Sequence, residues 1–106
     1  MSDFKELEQK VIEWAKDRDL YRLSTDVTRW EKCFEEFEEF EEAAWPIDFD
    51  DRDMEEVKME AGDVLVTMIN ILHPYGLTMT ECLEAAYNKI KDRTGKMENG
   101  TYVRDK

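Results

Sequence analysis

The sequence predicts an all-α domain of four helices, followed by a possible short β-hairpin near the C-terminus. Apolar residues recur at helical spacing in four segments, and residues that start or stop helices flank these segments. At 106 residues the chain is long enough for one domain, which we place at residues 1–106. A domain of this size buries only about two thirds of its unfolded surface, so we expect it to oligomerise through helix faces.

The strongly negative net charge argues against some classes of binding partner. The chain has 27 acidic and 15 basic residues and a net charge of -12, which repels nucleic-acid phosphates and anionic membranes. We therefore expect no nucleic-acid partner and no membrane partner. The charged start of the chain lacks the apolar core of a signal peptide, which favours a cytoplasmic protein. Cys33 and Cys82 lack the spacing of a disulfide framework or a zinc site, and we expect buried, reduced thiols.

Apolar residues at helical spacing, together with residues that cap or stop a helix, predict the first two helices. The first covers residues 3 to 20, with Ser2 or Asp3 as its N-cap. Its apolar face consists of Phe4, Leu7, Val11, Trp14 and Ala15. After a loop at residues 21–24, the second helix starts near residue 25 and stops before Pro46. Its apolar side consists of Trp30, Cys33, Phe34, Phe37, Phe40 and Ala44.

The third predicted helix, residues 53–72, ends before Pro74 and Gly76. It is mostly apolar from residue 57 onward, so we expect it to be buried on most sides. Its polar residues are not scattered, because at about 100° per residue they share one stripe roughly 80° wide. The stripe consists of Glu60, Asp63, Thr67 and Asn70, with Glu56 one turn earlier.

The end of the chain carries a fourth helix and a turn signal. Thr78 and Glu81 form a capping box for this helix, which we expect to end at Gly95. Asn99-Gly100 is a typical two-residue hairpin turn and predicts two short strands around it.

Carboxylates on a buried helix need a partner. Glu60 and Asp63, at positions i and i+3, lie about 5 to 6 Å apart and repel each other. A divalent cation would remove this repulsion; otherwise the stripe faces solvent or pairs with Arg or Lys of another helix. Glu36 and Glu39 lie about 60° apart at the edge of the second helix's apolar side, from which they can face the third helix.

Four carboxylates form an all-oxygen site that suits Mg²⁺, with Mn²⁺ as the second choice. Iron fits less well, because a di-iron bundle uses two Glu-x-x-His pairs. The single histidine, His73, has no glutamate three residues before it. We expect His73 to be a surface or capping residue.

At this point the residues resemble a known family, the MazG-like all-α nucleoside triphosphate pyrophosphohydrolases. The family signature is Glu-Glu-x-x-Glu on one helix followed by Glu-x-x-Asp on the next. Here it reads Glu35-Glu36-Phe-Glu38-Glu39 and Glu60-Ala-Gly-Asp63. The likeness extends from the second to the fourth predicted helix, and the tail from residue 87 to 100 is similar to that of short, phage-type members.

The resemblance implies a four-helix MazG-like bundle and hydrolysis of a (deoxy)nucleoside triphosphate to the monophosphate and pyrophosphate. It implies Glu36, Glu39, Glu60 and Asp63 as ligands of Mg²⁺, with Glu35 or Glu36 as the candidate general base. It also implies a homodimer or homotetramer, because members of the family are usually dimers or dimers of dimers.

Several residues are candidates for binding the substrate. The proposed contacts are Lys32, Asn70, Lys89, Lys91, Arg93, Trp14 and Trp30. The basic group on the fourth helix is equally typical of ordinary helix C-terminal charge, and tryptophans at helical spacing are more often core residues. Base and sugar preference are not readable from the sequence.

A different class of function is a non-catalytic acidic interaction protein, either a DNA mimic or a MazG-like scaffold. The net charge of -12 fits a mimic. The polar stripe fits it less well, because a mimic needs its charges outside, whereas Glu60, Asp63 and Asn70 interrupt an apolar helix.

Overall fold

The computed structural model describes residues 3–105, and within them five α-helices precede a two-stranded antiparallel hairpin. The helices are α1 (Phe4–Asp17), α2 (Leu20–Leu23), α3 (Asp26–Ala44), α4 (Met54–Leu72) and α5 (Met79–Ile90); the strands are β1 (Gly95–Glu98) and β2 (Thr101–Arg104). Short 3₁₀ turns lie at Phe49–Asp51 and His73–Tyr75. The prediction of an all-α fold with a C-terminal hairpin is confirmed.

The first helix is shorter than predicted. Asp3 caps it, since its side chain accepts a hydrogen bond from the Glu6 backbone N–H; the alternative cap, Ser2, lies outside the described residues. The helix stops at Asp17 rather than at residue 20, because Asp19 adopts a left-handed backbone with φ of 55°. The chain then forms α2 where a loop was expected.

The starts of the later helices agree with their capping signals. The Thr25 hydroxyl accepts from the backbone of Thr28 at the start of α3, and Asp53 caps α4. Thr78 and Glu81 form the predicted reciprocal capping box at α5. Each cap satisfies backbone N–H groups that have no partner inside the helix.

The last helix ends earlier than predicted, and the hairpin begins where the end of that helix was expected. Helix α5 ends at Ile90, and Gly95 is the first residue of β1 rather than the end of a helix. A Cβ atom at Gly95 would lie 2.3 Å from the Val103 carbonyl oxygen, so a side chain there would block the strand pairing. Asn99 and Gly100 both have positive φ, as a two-residue hairpin turn requires.

Helices α3 and α4 form the main packed pair and run antiparallel. Near the middle of the seam Glu36 lies beside Glu60, and at one end the Trp30 indole N–H donates to the Tyr75 hydroxyl at 3.2 Å. Helix α4 also contacts α1 and α5. Of the polar stripe of α4, Thr67 and Asn70 are buried between helices and Glu60 is half-buried, whereas Asp63 is exposed.

The apolar core of a single chain is small. Its buried apolar residues are Ile12, Ala15, Ala43, Ile69 and Ile71. The expectation that α4 is buried on most sides is wrong for the isolated chain, because Met59, Leu65 and Met68 are exposed. Cys33 and Cys82 are free thiols but only half-buried. In residues 3–105 no helix is both long and apolar enough to cross a membrane.

Candidate functional site

Three of the four predicted metal ligands meet at the seam between α3 and α4. One carboxylate oxygen from each of Glu36, Glu60 and Asp63 lies within 4.8 Å of the other two; we call these three residues the carboxylate cluster. Helix α3 contributes Glu36, and α4 contributes Glu60 and Asp63 one turn apart. The three oxygens are close enough together for a single ion to contact all three side chains.

The cluster contains oxygens that no protein group satisfies. Oε2 of Glu36 and Oε2 of Glu60 are buried and have no hydrogen-bond partner among the described residues, and Glu36 is only 9% exposed. Burying an unpaired carboxylate oxygen is costly. A hard, all-oxygen donor set of this kind fits Mg²⁺ or Mn²⁺, and a cation would satisfy both orphaned oxygens.

The electrostatic surroundings of Glu36 show how crowded the charges are. Lys32 Nζ lies 3.0 Å from Glu36 Oε1 and 3.4 Å from Glu35 Oε1, and the hydrogen bond to Glu36 raises the pKa of Lys32. Glu39 lies outside the cluster and is exposed, but the hydrogen bond that its protonated form can donate to Glu36, together with repulsion from Glu36 and Glu60, raises its pKa. Glu39 is thus within electrostatic reach of the predicted metal position.

A cavity of about 240 Å³ lies beside the cluster, between α2, α3 and α4. It is lined by Leu20, Ser24, Thr28, Arg29, Lys32, Thr67 and Asn70. Lys32 joins the two features, because it lines the cavity and also contacts Glu36. We call this space the seam cavity. Two predicted substrate contacts, Lys32 and Asn70, therefore lie together next to the carboxylate cluster.

Sequence reasoning missed two residues of this region. The Arg29 side chain is 10% exposed and donates to Ser24 and Asp26, and the Tyr21 hydroxyl donates to Asn70 Oδ1 at 2.7 Å. Arg29 lies one turn before Lys32 on the face of α3 that contains Glu36, so its spacing was a usable signal. Tyr21 had no such signal, because only the tertiary fold brings it to Asn70.

The other predicted substrate contacts lie elsewhere. Trp14 is covered by the Arg18 guanidinium, 4.4 Å from the ring centre. Trp30 faces Phe34 and lines an apolar groove rather than the seam cavity. The side chains of Lys89, Lys91 and Arg93 are exposed at and beyond the end of α5. Within residues 3–105 the structure brings none of these five side chains into the seam cavity.

Comparison with known proteins adds one finding. A family model described as the MazG nucleotide pyrophosphohydrolase domain matches residues 31–97, which is more than half of the chain and includes every residue of the carboxylate cluster. No curated protein matches the chain significantly, and no solved structure does so either.

Proposed function

The chain belongs to the MazG nucleotide pyrophosphohydrolase domain family, and from this premise we propose that it is a Mg²⁺-dependent nucleoside triphosphate pyrophosphohydrolase. It converts a (deoxy)nucleoside triphosphate to the monophosphate and pyrophosphate. The main observation in support of this proposal is the carboxylate cluster, which contains two buried oxygens without a hydrogen-bond partner. A cytoplasmic location, where such substrates are present, is part of it.

The proposal assigns the ion to Glu36, Glu60 and Asp63, with Glu39 completing the set from the next turn of α3. When bound, Mg²⁺ neutralises phosphate charge and lowers the pKa of a bound water; Mn²⁺ would serve in the same way. A water adds to one of the two phosphorus atoms that share the α–β bridging oxygen, and the bond from that phosphorus to the bridging oxygen breaks, which releases the monophosphate and pyrophosphate. Glu35, exposed one residue before Glu36, is our candidate to accept the proton of the water.

Basic residues hold the polyphosphate in this proposal. Lys32 is the best supported, because it lies between the carboxylate cluster and the seam cavity. A phosphate oxygen would accept from the Lys32 ammonium in place of one of its two glutamates. Lys89, Lys91 and Arg93 would need a substrate or a second chain to bring them to the cluster.

We further propose that the protein is a homodimer or a homotetramer. Its accessible surface is 8491 Å², whereas a compact monomer of 12.7 kDa exposes about 6,200 Å². The excess, roughly 2,200 Å² per chain, is in the range that obligate dimers bury on each partner. The radius of gyration is 16.9 Å, compared with about 13 Å for a compact domain of this length.

Part of the exposed apolar surface lines a groove between α3 and α4. Its walls include Trp30, Phe34 and Phe37 of α3, Met68 and Leu72 of α4, and Tyr75 of the 3₁₀ turn that follows α4. We call this surface the apolar groove and propose that a second copy covers it.

One experiment tests the activity. The protein is incubated with each nucleoside triphosphate and Mg²⁺, and pyrophosphate, orthophosphate and monophosphate are measured. Pyrophosphate and monophosphate in equal amounts would support the proposal, and release of orthophosphate would mean that a different bond is cut. No turnover of any substrate would favour the rival class, an acidic interaction protein, over an enzyme.

A further inference from the structure

One face of the C-terminal hairpin lies open to solvent. Antiparallel pairing sets Met97 opposite Tyr102 and Gly95 opposite Arg104, so these residues share one face of the two strands. Met97 is 64% exposed and Tyr102 is 52% exposed. The two strands pack mainly on each other, and a two-stranded hairpin alone in water is only marginally stable. The side chains of Met97, Tyr102 and Arg104, which we call the hairpin face, therefore need a surface to cover them.

The hairpin face is basic on a molecule that is otherwise acidic. Arg104 has no ion-pair partner within the described residues. The acid of the hairpin, Glu98, lies on the opposite face and is paired with Lys96 at 3.3 Å. Residues 89–106 contain six basic and three acidic residues, whereas residues 1–88 contain nine basic and 24 acidic ones. An acidic surface is therefore the best complement for the hairpin face.

The turn between α3 and α4 combines negative charge with exposed apolar side chains. Residues 41–56 contain eight acidic residues and a single basic one, Arg52. Of these acids only Glu55 has an ion-pair partner in the part of the chain that the structure describes. Trp45 is 72% exposed and Ile47 is fully exposed. An open cavity of about 400 Å³, which we call the tip cavity, is lined by Trp45, Pro46, Ile47, Glu42, Asp48 and Asp51.

The hairpin face and the tip cavity complement each other in charge and in residue type. Aromatic residues, Met and Arg are the residue types enriched where proteins meet. An Arg guanidinium also forms two hydrogen bonds with one carboxylate. Each chain has both surfaces, so two copies related by a two-fold axis make the contact twice and leave neither surface open.

We propose that the hairpin face of one copy docks in the tip cavity of a second copy. Arg104 pairs with the carboxylates of the cavity, and Met97 and Tyr102 cover its apolar wall. Three side chains bury too little area to hold two copies together alone, so the contact adds to a dimer that the apolar groove forms. The inference thus rests on the proposed dimer and adds to it a role for the hairpin.

Disulfide formation between two singly substituted proteins tests the contact directly. Met97→Cys and Ile47→Cys are made in chains that also carry Cys33→Ala and Cys82→Ala, and the two proteins are mixed, allowed to exchange subunits and oxidised. A disulfide needs Cα atoms less than about 7 Å apart, so we expect a covalent dimer in the mixture and none in either protein alone. Val103→Cys, on the opposite face of the hairpin, is the matched control and should form none with Ile47→Cys.

Charge reversal separates loss of the contact from loss of folding. Arg104→Glu in the Met97→Cys chain should lower the initial rate of disulfide formation roughly tenfold, because it sets like charges against each other. Glu42→Lys with Asp51→Lys in the Ile47→Cys chain should restore the rate, which a misfolded hairpin would not allow. Lys96→Glu makes the same change of charge on the opposite face and should change the rate by less than about twofold.

Sedimentation equilibrium of the wild type distinguishes this inference from the proposed dimer. A dimeric wild type together with no covalent dimer in the mixture, or with equal yields for Met97→Cys and Val103→Cys, would overturn the hairpin contact and leave the dimer standing. A chain with both Met97→Cys and Ile47→Cys that forms the disulfide within itself would also overturn it, because the hairpin would then cover its own tip cavity. A monomeric wild type would overturn both proposals.

Discussion

Glu60 and Asp63 belong to one cluster but differ in their surroundings. Glu60 is half-buried with an orphaned Oε2, whereas Asp63 is exposed. We expect Glu60→Gln to abolish pyrophosphate release, because the cluster loses a ligand. The same variant should leave the metal-free protein as stable as the wild type or slightly more stable, because it removes repulsion between carboxylates. Asp63→Asn should also abolish pyrophosphate release. Its effect on the stability of the metal-free protein should be smaller, because water screens the exposed charge of Asp63.

The measurements are pyrophosphate release and thermal unfolding with and without Mg²⁺. Mg²⁺ should raise the Tm of the wild type, since an ion that binds only the folded state stabilises it, and should not raise that of Glu60→Gln. Glu38→Gln, on the exposed side of α3, is the control and should keep both activity and the Mg²⁺ response. Unfolding of Glu60→Gln, or full activity in it, would contradict the assignment.

Tyr21 gives a prediction for alkaline pH. Burial raises its pKa from 10.0 to about 12, so the neutral form is favoured in the folded protein. The resulting stabilisation is fully present below pH 10 and is lost as the pH rises to 12. The free energy of unfolding of the wild type relative to Tyr21→Phe should therefore be constant below pH 10 and fall between pH 10 and 12. Urea unfolding of both proteins across this range measures it, and a difference that does not change with pH would contradict the burial of Tyr21.

At this scale the sequence predicts some site residues and not others, for a physical reason. Glu60, Asp63 and Asn70 are predictable because the helical repeat alone places them on one stripe of an apolar helix. Tyr21 is not predictable, since its bond to Asn70 joins residues 49 positions apart. No local pattern specifies such a contact.

Among the elements, α1 and α5 are joined by an acidic side chain that acts as a remote cap. Glu8 is 2% exposed, and its carboxylate accepts from the backbone N–H groups of Met79 and Thr80 and from the Thr80 hydroxyl. These backbone groups belong to the first turn of α5 and have no partner within that helix. The negative charge also opposes the positive end of the helix dipole.

Replacing this cap should destabilise the protein without touching the candidate site. Glu8→Gln turns one acceptor into an NH₂ group that faces backbone N–H, and we expect it to lower the free energy of unfolding by about 1.5–3 kcal/mol. Glu13→Gln, on the exposed side of α1, is the control and should change stability by less than about 0.5 kcal/mol. Urea unfolding measures both, and equal stabilities would mean that the Glu8 cap contributes nothing.

Helix ends were predictable where a side chain marks them locally. The Thr78 and Glu81 capping box and the Asn99-Gly100 turn both appear where the sequence predicts them. The end of α1 was not predictable, because no glycine or proline marks it and Asp19 adopts a left-handed backbone. The end of α5 was misplaced since Gly95, read as a helix stop, is needed for close approach of the two strands.

On the scale of the whole molecule, the excess surface and the small core have the same cause. Two long helices pack against each other, and α1 and α5 cover only part of the pair, so apolar side chains of both faces stay exposed. Chain length and the family resemblance both led us to expect oligomerisation. The sequence did not indicate which helix face forms the interface, because the residues of the apolar groove recur at the same helical spacing as residues of a buried core.

Phe34 lies in the apolar groove and is 61% exposed in the single chain, so a charge placed there would be buried only if a second copy covers it. We expect Phe34→Glu to convert the oligomer to a monomer, because burying an unpaired carboxylate at an interface is costly. Sedimentation equilibrium measures the mass, and the free energy of unfolding should become independent of protein concentration in the variant. Leu83→Glu, an equally exposed apolar position on α5 outside the groove, is the control and should remain at least dimeric. A monomeric wild type would overturn oligomerisation, whereas a dimeric Phe34→Glu protein would place the interface on another face of the molecule.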